Sequence, residues 1–128
     1  MDIGLAGGII VVRIRGRPSG QDLDAYLARY TELLERRVPY STVFSAERGT
    51  RMPEPSHVRR QIAWMKGNGD LIASHCQGLA FVFRSPLMRG VLKGVLSMQP
   101  LGAKHIVLRD EPEAISWAHA RLLSVDAD

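Results

Sequence analysis

The stretch Arg84-Ser85-Pro86-Leu87-Met88-Arg89 holds residue types suited to gripping an anion. A serine followed by proline marks a helix start. The serine oxygen can accept from an unpaired backbone N–H, and the fixed φ of proline suits the first helical position. Such a terminus offers free donors and the positive end of the helix dipole. Arg84 and Arg89 flank it, and the segment follows a predicted strand. Open α/β sheets bind ligands beyond the carboxyl ends of their strands. Arg84, Ser85 and Arg89 are therefore the candidate site for a phosphate or an acidic side chain. The plainer reading is a capped helix with two solvated arginines.

A second group, Arg48, Arg51, Ser56, His57, Arg59 and Arg60, lies in a loop and the helix start after it. Its charge could draw an acidic protein, an anionic lipid or a phosphate backbone. No aromatic residues interleave with these cations, which argues against nucleic acid and leaves a protein partner as the expectation. The whole chain carries a formal charge of +4, and only Lys66, Lys93 and Lys104 of its 17 basic residues are lysine. Arginine suits bidentate recognition of carboxylate and phosphate, although a GC-rich genome produces the same bias.

Other chemistry is poorly supplied. His57, His75, His105 and His119 lack zinc-ligand spacing. Cys76 is the only cysteine, which excludes an intrachain disulfide and fits a reducing compartment. It continues an apolar stripe and reads as a small buried hydrophobe. Glu111 and Glu113 belong to a helix start. Gly4-Leu5-Ala6-Gly7-Gly8 has neither the phosphate-loop lysine nor the dinucleotide fingerprint, and it precedes a strand. No catalytic residue, metal site or cofactor is expected, although catalytic groups assembled from distant positions would escape such a reading. The N-terminus lacks the basic region of a signal peptide, and the apolar run Ile9 to Val12 is far too short to span a bilayer. A cytoplasmic protein is expected.

The elements that must position these residues alternate along the chain. Ile9 to Arg15 reads as a central strand, and Gly16-Arg17-Pro18-Ser19-Gly20 breaks it. Ser19 and Asp22 open a helix with Leu23, Leu27, Tyr30 and Leu34 on one face, Arg36 and Arg37 in its last turn and Pro39 at its end. Ser41 to Ala46 is a second strand. Glu47 to Pro55 is an irregular, solvated loop, and Ser56 is the expected cap of the next helix. Val58, Ile62, Met65, Gly69, Ile72 and Cys76 keep helical phase through Gly67-Asn68-Gly69. The phase predicts one helix weak in the middle, since each glycine costs about 1 kcal/mol there.

Gly78 to Phe83 is a third strand. Met88, Val91, Leu92, Val95 and Leu96 form the buried face of the helix that Ser85-Pro86 starts, with Pro100 and Gly102 ending it. Gly90 and Gly94 should let that helix approach the sheet or a neighbour closely. Lys104 to Leu108 is a fourth strand. Asp110 and Glu113 open a last helix with Ile115, Ala118 and Leu122 inside, and Val125 to Asp128 is a frayed tail. Trp64 and Trp117 read as anchors at the core edge with the indole N–H at the surface. The βαβαβαβα order predicts an α/β fold, a four- to five-stranded largely parallel or mixed sheet with helices packed on it. At 128 residues the chain fits one domain, able to remove roughly two thirds of its unfolded surface from water.

Phe81-Val82-Phe83-Arg84-Ser85-Pro86-Leu87-Met88-Arg89-Gly90-Val91-Leu92, then Val107-Leu108 and Glu113-Ala114-Ile115-Ser116-Trp117, resemble bacterial proteins of the SpoIIAA-like, STAS/Sec14-like class. The Gly16-Arg17-Pro18 turn, Tyr26-Leu27 and Gln61-Ile62-Ala63-Trp64 are also similar to that group. The resemblance implies a non-enzymatic regulatory or ligand-binding domain, engaging other regulators as STAS proteins do or binding lipids as Sec14-like ones do. It does not extend to the phospho-switch of anti-sigma-factor antagonists, because Glu47 to Ser56 contains no Asp-Ser pair. Two functions follow as expectations. One is a regulatory protein-interaction module that docks a helix face and its adjoining loop. The other is a Sec14-like binder of a small anionic or lipid ligand, with Arg84 and Arg89 on the head group and a closed apolar pocket for the rest.

Overall fold

In the computed structural model, which describes residues 1–51, 54–98 and 103–126, the chain opens with a strand that periodicity does not suggest. β1 (Asp2–Ala6) and β2 (Ile9–Ile14) form an antiparallel hairpin. Gly7 and Gly8 are its two-residue turn, with φ of 58° and 83°. A type I′ turn needs that left-handed pair, and glycine adopts it without a Cβ clash. β1 reads Asp-Ile-Gly-Leu-Ala, a composition with little strand preference of its own. Its shape comes from pairing with β2.

Then follow α1 (Gly20–Leu34), β3 (Tyr40–Ala46), α2 (Pro55–Gly67), α3 (Gly69–His75), β4 (Cys76–Val82), α4 (Pro86–Met98), β5 (His105–Leu108) and α5 (Glu111–Asp126). The sheet has the order β1-β2-β3-β4-β5. β2 to β5 are parallel and β1 is antiparallel. The mixed α/β sheet expected from the sequence is present, with five strands. Each parallel step moves the same way, so right-handed crossovers bring α1, the α2–α3 pair and α4 onto one face. α5 returns over the other face after the last strand.

Side chains alternate across the sheet into two cores. On the three-crossover face Ile10, Val12, Phe44 and Leu79 meet Leu23, Tyr26, Leu27, Tyr30 and Ile72. On the other, Ile9, Val43, Ala80 and Val82 lie under Ala114 and Ala118 of α5. Every residue of β3 is buried, as befits a middle strand covered on both sides. The α1 cap is as expected: Ser19 Oγ accepts from the Asp22 N–H and Asp22 accepts from the Ser19 N–H.

Several expectations need correction. The single helix from Val58 to Cys76 is two helices. Asn68, at φ −110° and ψ 19°, leaves helical geometry, and its N–H turns back onto the carbonyls of Trp64 and Lys66. The stripe keeps its phase across this break, so periodicity could not register it. Cys76 begins β4 instead of ending a helix. Ser56 is not the cap of α2: Glu54 holds that position, without a side-chain bond, and Pro55 stands at the first helical position. Arg36 and Arg37 follow α1 instead of lying in its last turn, and Arg37 takes φ 54°. Val91 is 42% exposed and so does not belong to the buried face of α4. A Cβ at Gly90 or Gly94 would meet nothing within 4 Å; they serve no close approach. α5 continues to Asp126 where a frayed tail was expected. Pro100, Gly102, Ala127, Asp128 and the Val95 side chain lie outside the described residues. No helix among the described residues is long and apolar enough to cross a membrane.

Candidate functional site

The Ser85 turn is a working helix cap. Ser85 Oγ accepts from the Met88 N–H at 3.3 Å, and its carbonyl accepts from the Arg89 N–H at 3.0 Å. Arg89 bends back, and its Nη1 donates to the carbonyls of Phe83 at 2.8 Å and Arg84 at 3.0 Å. Those carbonyls lie just past the end of β4, and the guanidinium gives both a partner. Arg89 is thus a brace of the backbone, while Arg84 remains exposed.

The second predicted cluster is divided by the fold. Arg48, Ser56 and Arg59 are exposed, and Arg60 ion-pairs with Asp24 of α1. Arg51, also exposed, and the half-buried His57 both line a cavity. The loop that carries Arg48 and Arg51 is irregular and largely exposed, as expected, and its first half is tied down by hydrogen bonds. The Glu47 N–H donates to the Ile14 carbonyl at 2.8 Å, Thr50 Oγ1 donates to the same carbonyl at 2.9 Å, and the Arg51 N–H donates to Gly16 at 2.9 Å. Arg15 closes the junction with an ion pair to Glu47 at 2.6 Å. These bonds prolong β2–β3 pairing beyond the sheet and fix the Arg51 backbone in place.

The cavity measures about 230 Å³ and lies between the sheet and its helices. Phe44 and Phe81 contribute from the sheet, their rings stacked with centroids 5.0 Å apart and planes 8° from parallel. α1 brings Leu23 and Tyr26, α2 brings Val58, Ile62 and Met65, and α4 brings Met88, Leu92 and Leu96. Polar side chains are few. Gln61 donates to the Tyr26 hydroxyl at 3.0 Å, so both are satisfied within the wall. Thr50, Arg51 and His57 all come from the segment leaving the carboxyl end of β3. His57 Nε2 stands 4.0 Å from the Glu54 carboxylate. The space is an apolar chamber with Arg51 and His57 together at one end, where parallel α/β sheets bind ligands.

The Cys76 thiol is buried and its pKa is pushed up to about 11 by burial. Tyr26, Tyr30 and Tyr40 are likewise raised, chiefly by burial. All four are held in their neutral forms. Among the described residues no three of His, Cys, Asp and Glu come together as a metal site would require. Trp64 departs from the expected surface anchor, since its indole N–H donates to Thr31 Oγ1 at 2.9 Å.

Sequence reading placed Arg51 and His57 at a site but not the chamber beside them. Its lining is spread over α1, β3, α2, β4 and α4, and each residue looks like ordinary core within its own element. The run of bulky side chains at the carboxyl strand ends (Phe44, Phe81, Phe83) was the only signal available. No protein-family model matches the chain, and no curated protein shows significant similarity to it.

Proposed function

We propose that this chain is a non-enzymatic binding domain for a small amphipathic ligand, with an apolar body in the chamber and an anionic end at Arg51 and His57. The observation behind this reading is the chamber itself: largely apolar in its lining, with its one permanent cation, Arg51, beside His57 at one end. Its volume of about 230 Å³ exceeds the roughly 150 Å³ apolar cavity that suffices for benzene. It falls below the ~300 Å³ at which drug-sized pockets begin. A medium-chain carboxylate matches that size and polarity. Burial of its chain supplies most of the affinity, and the guanidinium orients the head. Arg84 and Arg89, expected on the head group, give way to Arg51 and His57 in this reading.

Native mass spectrometry of the freshly purified protein, followed by thermal shift with octanoate, tests it. An adduct, or a melting temperature that rises with octanoate concentration, supports the proposal. An apo mass together with an unmoved melting temperature overturns it.

A specific observation also favours the regulatory reading drawn from the STAS-like resemblance. Leu87 is 75% exposed and Val91 42% on the outer face of α4, beside Gly90 and Gly94 with open space above them. Exposed apolar residues grouped on one helix mark protein-interaction sites more often than chance placement does. In this second reading α4 docks on a protein partner. A Leu87→Asp variant that loses partner retention while still binding octanoate would separate the two.

A further inference from the structure

We infer a second ligand site, on the opposite end of the sheet from the chamber, for a small planar aromatic anion such as an aryl phosphate or aryl carboxylate. A shallow cleft of about 660 Å³ is lined there by Ala103, Lys104, His105, Trp117 and Arg121. Two permanent cations and a histidine therefore face one space with an indole ring. Among the described residues no acidic side chain lines it. Lys104, His105 and Arg121 have no ion-pair partner among the described residues. Like charges drawn together without a counter-charge repel, and an anion between them relieves that.

The wall is also positioned. Arg121 Nε donates to the Gln77 carbonyl at 3.2 Å, which holds the guanidinium while its two terminal nitrogens remain for a ligand. Trp117 rests on the backbone of Gly78, where an added Cβ would come within 2.7 Å of the indole ring. That support fixes the ring, and its N–H has no protein partner among the described residues. Planar guanidinium donors recognise phosphate or carboxylate, and an ordered indole offers a flat apolar surface for an aromatic body. The two features lie side by side in one cleft, which selects ligands that combine both. This site is independent of the amphipathic ligand proposed for the chamber.

The test is a titration of ¹⁵N-labelled full-length protein with phenyl phosphate, read by the two indole N–H signals. Trp64 is tied to Thr31 in the chamber-side core and acts as the internal reference. The expected result is a saturable shift of the Trp117 signal with the Trp64 signal unmoved. The Kd should be on the order of 1 mM, as befits so small a ligand. Phenol and inorganic phosphate should each bind roughly fivefold or more weakly, since each lacks one half of the recognition. Lys104→Gln keeps the backbone carbonyl that accepts from the Leu79 N–H and changes only an exposed side chain; it should weaken phenyl phosphate binding roughly threefold or more. Three results would each overturn the assignment: no Trp117 shift, equal response to inorganic phosphate alone, or an unchanged Kd in Lys104→Gln.

Discussion

Tyr30 and Tyr40 are both almost wholly buried, yet their hydroxyls are in opposite situations. The Tyr30 hydroxyl lies 2.6 Å from Thr42 Oγ1, whereas the Tyr40 hydroxyl has no well-formed hydrogen bond among the described residues and only the Cys76 thiol and Tyr30 hydroxyl as polar neighbours. A buried polar group without a partner is costly, and stranding one by removing its partner is costlier still. Tyr40→Phe should therefore leave stability unchanged or raise it by up to about 1 kcal/mol, while Tyr30→Phe should lose about 1–2 kcal/mol. Urea unfolding of the two variants reads both.

The same residues set the alkaline limit. Burial raises the pKa of Cys76 to about 11 from 9.0 and lifts those of Tyr26, Tyr30 and Tyr40 above 10.0. The unfolded chain ionises these groups first. Their contribution is whole below the unfolded values and is lost as pH climbs toward the folded ones. The urea midpoint should be flat near neutrality and begin to fall at about pH 9, with Cys76→Ala delaying the onset. A midpoint that rises over that range would contradict the assignment.

At the scale of elements, the glycines separate positions that need the absence of a Cβ from those that do not. Gly78 lies under Trp117 and Arg121, so Gly78→Ala forces the indole to move and should cost about 1–3 kcal/mol, as overpacking does. Gly90 and Gly94 face open space in the middle of α4. Replacing each with alanine should stabilise by up to about 1 kcal/mol through helix propensity alone. Thermal unfolding of the three variants should rank them accordingly.

Elements with strong local chemistry were legible in the sequence. α1 announced itself through Ser19, Asp22 and its stripe, and α4 through Ser85-Pro86. β1 was not, because Asp-Ile-Gly-Leu-Ala has little strand preference of its own and takes its shape from its partner. The break at Asn68 was hidden because a helix interruption that preserves phase leaves the apolar pattern intact. The cap of α2 was misplaced because Ser56, Pro55 and Glu54 stand together, and proline's preference for the first turn outweighs the serine.

For the whole molecule, the order of strands decides where chemistry can occur. One-directional crossovers stack α1, α2 and α4 on a single face, and the chamber forms where they fail to fill the space above Phe44 and Phe81. No local pattern encodes such a space, since it depends on three helices and two strands meeting imperfectly. Its charged end was partly legible, because Arg51 and His57 stood out by type. Arg48, Arg59 and Arg60 stood out equally but point elsewhere, and Arg89 is occupied with backbone carbonyls. Of that cluster only Arg51 and His57 line the chamber, where the loop from 47 to 51 is pinned to β2.

The most direct measurement is a calorimetric titration of octanoate into the wild-type protein, Arg51→Gln and Leu92→Trp. The account predicts saturable one-to-one binding to the wild type, a several-fold loss in Arg51→Gln from the missing charge-assisted bonds, and no binding in Leu92→Trp, whose indole fills the chamber. Equal affinity in all three proteins, or heat that never saturates, would contradict it.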